Sequence, residues 1–195
     1  LAQREGRYNN AAEHLDRCME QLGEEDPIWL SLAIKKSNVL LLAYSKTADK
    51  NYLDRSVSLL ETILERQPDN YSLLNNLAYL LIDNDQQIEA ALGYARKALQ
   101  GDPSNAVHLD TYAYGLCKTE QYKEAERNLL RAIQISEASG TPIPWDMFKH
   151  MAMAYEGLGK TSEAREAYQK AIEAAGDIPE KEKNKLQQAV ERLDI

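Results

Sequence analysis

Three pairs of alanines, each seven residues apart, constrain this chain more than anything else in it: Ala91 and Ala98, Ala125 and Ala132, Ala164 and Ala171. Seven residues make two α-helical turns, so both members of a pair share one helix face. The pairs recur, with 34 residues from Ala91 to Ala125 and 39 from Ala125 to Ala164. Ahead of them stand three similar segments: Asn76-Leu77-Ala78-Tyr79, Asp110-Thr111-Tyr112-Ala113-Tyr114 and Met151-Ala152-Met153-Ala154-Tyr155. A period near 34 with small residues at fixed places marks a solenoid of paired helices. Two antiparallel helices joined by a tight turn cross near the alanines, and a larger side chain would push them apart. The residue between (Leu129, Tyr168, Leu60, Leu15) fills the space beside the crossing.

Apolar residues elsewhere recur at spacings of three and four with almost no alternation, which predicts helix throughout. The expected helices are a stub at 1–4, then 8–22, 28–46, 51–66, 70–83, 87–100, 105–118, 121–137, 144–158, 161–175 and 179–194. Breakers separate them at Asp26-Pro27, Gln67-Pro68-Asp69, Gly101-Asp102-Pro103, Gly140-Thr141-Pro142 and Gly176-Asp177. Pro27, Pro144 and Pro179 fall at helix starts, where a missing N–H costs nothing. The segment from Pro179 to Asp194 carries one apolar stripe, Leu186, Val190 and Leu193, amid charges, as suits a helix covering the open end of an array.

The net charge of −8 argues against nucleic acid, whose binders need a basic face, and against an anionic membrane surface. The longest apolar runs, such as Val39 to Tyr44, are far below the roughly 18 residues of a membrane span. Eleven Tyr stand against one Phe, a choice that gives packing rings polar tips. Two cysteines, Cys18 and Cys117, are too few for a disulfide framework and read as buried or half-buried thiols. The chain opens on Leu1 rather than Met, so the natural protein is expected to extend upstream, and its compartment, cytoplasmic or periplasmic, stays open.

No catalytic, cofactor or metal site is expected. His14, His108 and His150 lack metal spacing and are expected at surfaces or helix flanks. Cys117 and His108 lie nine residues apart on one helix, too far along the axis for a nucleophile and its base. Asp83-Asn84-Asp85 hints at a calcium loop, but the sixth position would be Ile88 and the twelfth Tyr94, where Gly and Glu are needed.

The pattern resembles the tetratricopeptide repeat. Leu77-Ala78, Ala91, Ala98 and Pro103 match one unit; Tyr112-Ala113, Tyr122, Ala125, Leu129 and Ala132 the next; Met151-Ala152, Tyr155, Gly159, Ala164, Tyr168 and Ala171 a third. Leu40, Tyr44, Ser56, Leu60, Ile63 and Pro68 match a degenerate unit, and Gly6, Tyr8, Ala11, Leu15 and Cys18 the second half of a first. The resemblance implies an all-α, right-handed superhelix of about five helix pairs. A single domain over 1–195 would hold repeats near 1–23, 28–69, 70–104, 105–140 and 144–177, with a covering helix at 179–194.

It also implies a concave groove lined by the first helix of each pair. The inward positions are Lys35, Asn38, Leu42 and Ser45; Ser72, Asn75, Tyr79 and Ile82; Val107, Asp110, Tyr114 and Cys117; and Asp146, Lys149, Met153 and Glu156. Within this set Asn38, Asn75, Tyr79, Asp110, Tyr114 and Lys149 are the expected contacts to a peptide or protein segment. Tyr79 and Tyr114 fit equally well as packing between neighbouring repeats. The heat-shock-protein carboxylate clamp of some family members is not expected. Asn76 suits its middle amide, but Val107 and Thr111 stand where its cations belong. Rival expectations are self-association through the amino end and a regulatory domain of a larger protein. Loosely, the chain is also similar to bacterial repeat proteins tied to envelope or exopolysaccharide export.

Overall fold

The computed structural model describes residues 2–23, 26–176 and 178–194, with side chains from Gly6 onward. Among them it has ten α-helices and no strand. They are α1 (Ala2–Glu20), α2 (Pro27–Thr47), α3 (Lys50–Arg66), α4 (Tyr71–Asp83), α5 (Ile88–Gly101), α6 (Ala106–Lys118), α7 (Tyr122–Ser139), α8 (Trp145–Gly157), α9 (Thr161–Ala174) and α10 (Glu180–Arg192). Two compact units divide the chain, Leu1–Leu73 and Leu74–Ile195.

In the first unit α2 packs against both α1 and α3. Asp26 caps α2 by accepting from the Ile28 N–H at 2.8 Å, with Pro27 in the first turn. Asp49 caps α3 likewise, from the Asn51 N–H at 3.0 Å. Ala12, Leu40, Ala43 and Tyr52 form the core, with Tyr8 and Tyr44 packed against it. The Arg66 guanidinium lies 4.0 Å from the centre of the Trp29 ring, a cation–π contact. At the α2–α3 crossing the small residue is Ser56, wholly buried, and its hydroxyl meets that of Ser37 at 2.9 Å.

α1 corrects two expectations. The stub at 1–4 and the helix at 8–22 are one helix that runs through Gly6. A single interior glycine costs only about 1 kcal/mol, and no proline stops the helix. Its inner face is also one residue away from the expected one. Ala12 and Met19, again seven apart, are buried, while Ala11 and Leu15 are half-buried and Cys18 is exposed. Contact with α2 along the continuous helix decides which face turns inward.

In the second unit α6 packs on α5, α7 and α8; α7 and α9 pack on α8; and α10 packs on α9. All six paired alanines are fully buried, as is Leu129. Asn105 caps α6 with its carboxamide, accepting from the N–H groups of Val107 and His108. Gly140 closes α7 in the left-handed region at φ 66°, which glycine adopts without penalty. Gly157 serves sterically: a methyl group there would collide with the Tyr122 ring, so α7 and α8 meet across bare backbone. α10 covers α9 through Leu186, which is buried. Its far end is tied down by Arg192 to Glu156 at 2.7 Å and by Asp194 to Arg165 at 3.0 Å.

Candidate functional site

From His108 to Cys117 every residue of α6 is buried. A helix enclosed this way must satisfy its polar side chains internally. Asp110 does so on α8, where the His150 Nδ1–H donates to its Oδ1 at 2.9 Å. His150 is fully buried, and among the described residues its Nε2 has no partner. The Tyr114 ring stacks on the imidazole, centroids 4.0 Å apart and planes 13° from parallel. Tyr79 of α4 leans against both, its centroid 6.1 Å from Tyr114 and 6.4 Å from His150. The Tyr114 hydroxyl donates to Asp83 at 3.3 Å. Three successive first helices thus contribute to one cluster of aromatic rings and carboxylates.

Its rim brings two ammonium groups up to aromatic rings. The Lys149 ammonium lies 5.5 Å from the Tyr114 ring and 5.2 Å from the Trp145 ring. Lys118 lies 5.4 Å from Tyr114 and pairs with Asp85 at 2.7 Å. Burial pushes the Tyr114 hydroxyl well above the ordinary tyrosine range, and Asp83 adds to the rise. Tyr79 is raised for the same first reason, then by Asp83, Asp146 and Asp110. Both phenols therefore stay protonated as donors. Burial, then Asp110, pushes the Cys117 thiol up to about 12. Its Sγ donates to the His150 backbone oxygen at 3.8 Å, so it is paired with a carbonyl and not with an imidazole base.

Of the expected contact residues, Tyr79, Asp110, Tyr114 and Lys149 stand together around His150. Tyr79 and Lys149 are half-buried, whereas Asp110 and Tyr114 are buried. Asn75 is buried one turn before Tyr79, with its Oδ1 unpartnered among the described residues. Asn38 is exposed on α2, in the first unit. The rings serve partly as packing between neighbouring first helices, one of the two roles the sequence allows them.

The histidines correct the sequence reading. His108 and His150 are buried, with exposures of 4% and 0%. The signal was present for His150, which lies three residues after Met147 and four before Ala154, both buried. That spacing places it on the inner face. Asp83 and Trp145 were also missed, because they sit at the ends of their helices rather than at inward positions. Among the described residues no group of three His, Cys, Asp or Glu is placed to hold a metal ion.

Tetratricopeptide-repeat family models match at residues 59–92 and 150–178. The first match runs from within α3 into α5, and the second covers most of the α8–α9 hairpin. Solved structures share the fold. MamA of AMB-1 is 23% identical over 88% of this chain and 92% of that one, with a TM-score of 0.61. A tetratricopeptide repeat protein from Parabacteroides merdae is 17% identical over 97% of this chain and 67% of that one, with a TM-score of 0.70. BtubC (BKLC) from P. vanneervenii is 14% identical over 98% and 82%, with a TM-score of 0.67. No protein of curated function gives a match. The fold is that of an all-α helical-hairpin repeat. The chain is a tetratricopeptide-repeat protein, and in general terms a scaffold for protein–protein interaction.

Proposed function

We propose that the second unit is a non-catalytic scaffold whose α4–α6–α8 face binds an extended segment of a protein partner. One observation carries the reading: half-buried Tyr79, Trp145 and Lys149 stand on a floor held rigid by the buried Asp110–His150–Tyr114 stack. Rigid aromatic anchors with a polar rim are what a peptide site needs, since little entropy is lost in ordering them. A thiol raised by burial and by Asp110, and donating to a backbone carbonyl, is a poor nucleophile, which supports the non-catalytic part. Heat-shock-protein tails do not fit this face. Val107 is exposed and Thr111 buried where the clamp needs cations.

Panning a random peptide library on the purified chain tests the reading. Selected peptides should lose binding to a Tyr79→Leu/Trp145→Leu variant whose circular dichroism and Tm match the parent. Peptides that bind both proteins equally would place recognition elsewhere.

A further inference from the structure

We propose that this face receives a cationic side chain, an arginine or lysine of the partner segment, at the place where the ammonium of Lys149 now lies between two aromatic rings. The inference deepens the reading above and rests on it. Lys149 is within cation–π reach of both Tyr114 and Trp145. Among the described residues it forms no ion pair, so these rings hold it. The protein thereby displays, with a side chain of its own, the contact geometry that a guest cation would use.

Charge complementarity points the same way. Asp85 is already tied to Lys118, and Glu156 to Arg192. Asp83 and Asp146 flank Tyr79, and among the described residues neither pairs with a cation. Asp83 is exposed and accepts from the Tyr114 hydroxyl, and Asp146 is half-buried and accepts from the Met147 N–H; an ionised carboxylate has about four lone-pair sites, so each can still accept from a guest. Two carboxylates against the one ammonium of Lys149 leave this face negative, on a chain whose net charge is −8. An acidic guest would meet like charge, whereas a basic one gains two partners. A separate observation concerns hydrogen bonding. Among the described residues the buried Asn75 Oδ1 has no donor, and Asn75 lies one helical turn before Tyr79, on the same face of α4. Arginine fits these features best, because its planar group stacks on rings while offering five N–H donors.

Fluorescence anisotropy with labelled Gly-Arg, Gly-Gln and Gly-Glu repeat peptides on the whole chain tests this. The Gly-Arg probe should bind most tightly. Asp83→Asn/Asp146→Asn should weaken it roughly tenfold. Glu137→Gln/Glu173→Gln, which removes as much charge from exposed positions of the same unit, should change it far less. Lys149→Met should tighten the Gly-Arg probe several-fold, and Lys170→Met, at an exposed position of α9, should not. Equal weakening by the two carboxylate pairs would reduce the effect to bulk charge and overturn the inference. So would tighter binding of Gly-Glu, or no binding of Gly-Arg. The composition of the panned peptides separates the two claims. Acidic peptides that still depend on Tyr79 and Trp145 would leave the groove reading standing and remove this one.

Discussion

The α2–α3 hairpin of the first unit and the α6–α7 hairpin of the second meet the same steric demand with different chemistry. α6 and α7 approach each other over Ala125 and Ala132, both fully buried and without polar atoms in their side chains. α2 and α3 cross over Ser56 and Ile63, also fully buried. Serine is nearly as small as alanine but brings a hydroxyl that must be paired inside. Ser37, directly across on α2, pairs it at 2.9 Å. A degenerate repeat therefore keeps its crossing when the departure from alanine is matched by a partner.

Ala125→Leu should break the comparison most severely. With no space to expand into, the added carbons overpack the crossing, at a cost of roughly 1–3 kcal/mol, read as a lower midpoint in urea unfolding. An unchanged midpoint would show that α6 and α7 do not meet there. Ser56→Ala should cost less, about 1 kcal/mol, because the stranded Ser37 hydroxyl can bond back to a carbonyl of its own helix. The double variant Ser37→Ala/Ser56→Ala should return close to the parent, since no buried hydroxyl is then left unpaired. If the two losses simply add, the serine pair is not what holds that crossing.

A third expectation sets the cysteines of the two units against each other and has the smallest effect near neutrality. Exposed Cys18 should alkylate promptly, and buried Cys117 only as the protein unfolds. The Cys117 thiol is raised from 9.0 to about 12. Above pH 9 the unfolded chain loses a proton that the folded one keeps, so stability falls as pH rises towards 12. The phenols of Tyr114 and Tyr168, also raised by burial, act in the same direction at higher pH. Urea midpoints measured from pH 8 upward should decline. A flat profile would mean that these groups are open to solvent.

Much of this architecture was legible because alanine spacing is a direct record of helix contact. The paired alanines and the proline and glycine breakers locate the hairpins, and Gly140 and Gly159 adopt the positive φ that their turns require. What the sequence obscured has physical causes. Gly6 looked like a turn, but a lone glycine only weakens a helix whose face is packed. The shift from Ala11 to Ala12 depends on which side of α1 meets α2, and two adjacent alanines carry no preference. The spacing from Met147 and to Ala154 puts His150 on the inner face, but the partner that makes its burial tolerable, Asp110, stands 40 residues earlier, a separation that no local pattern encodes. At the site, the inward positions pointed to Tyr79, Asp110, Tyr114 and Lys149. The burial of Asp110 and Tyr114 appeared only once α5, α7 and α8 were packed around α6.

The bare backbone of Gly157 beneath the Tyr122 ring has a bearing on how such a chain could be altered. Neighbouring hairpins are separated there by the thickness of one aromatic ring, so the joint works as a spacer of fixed gauge. Thinning the ring or adding a methyl group opposite it would change the angle at which the next hairpin is laid down. Residues that never touch a partner would thereby set where the Trp145 side of the face comes to rest.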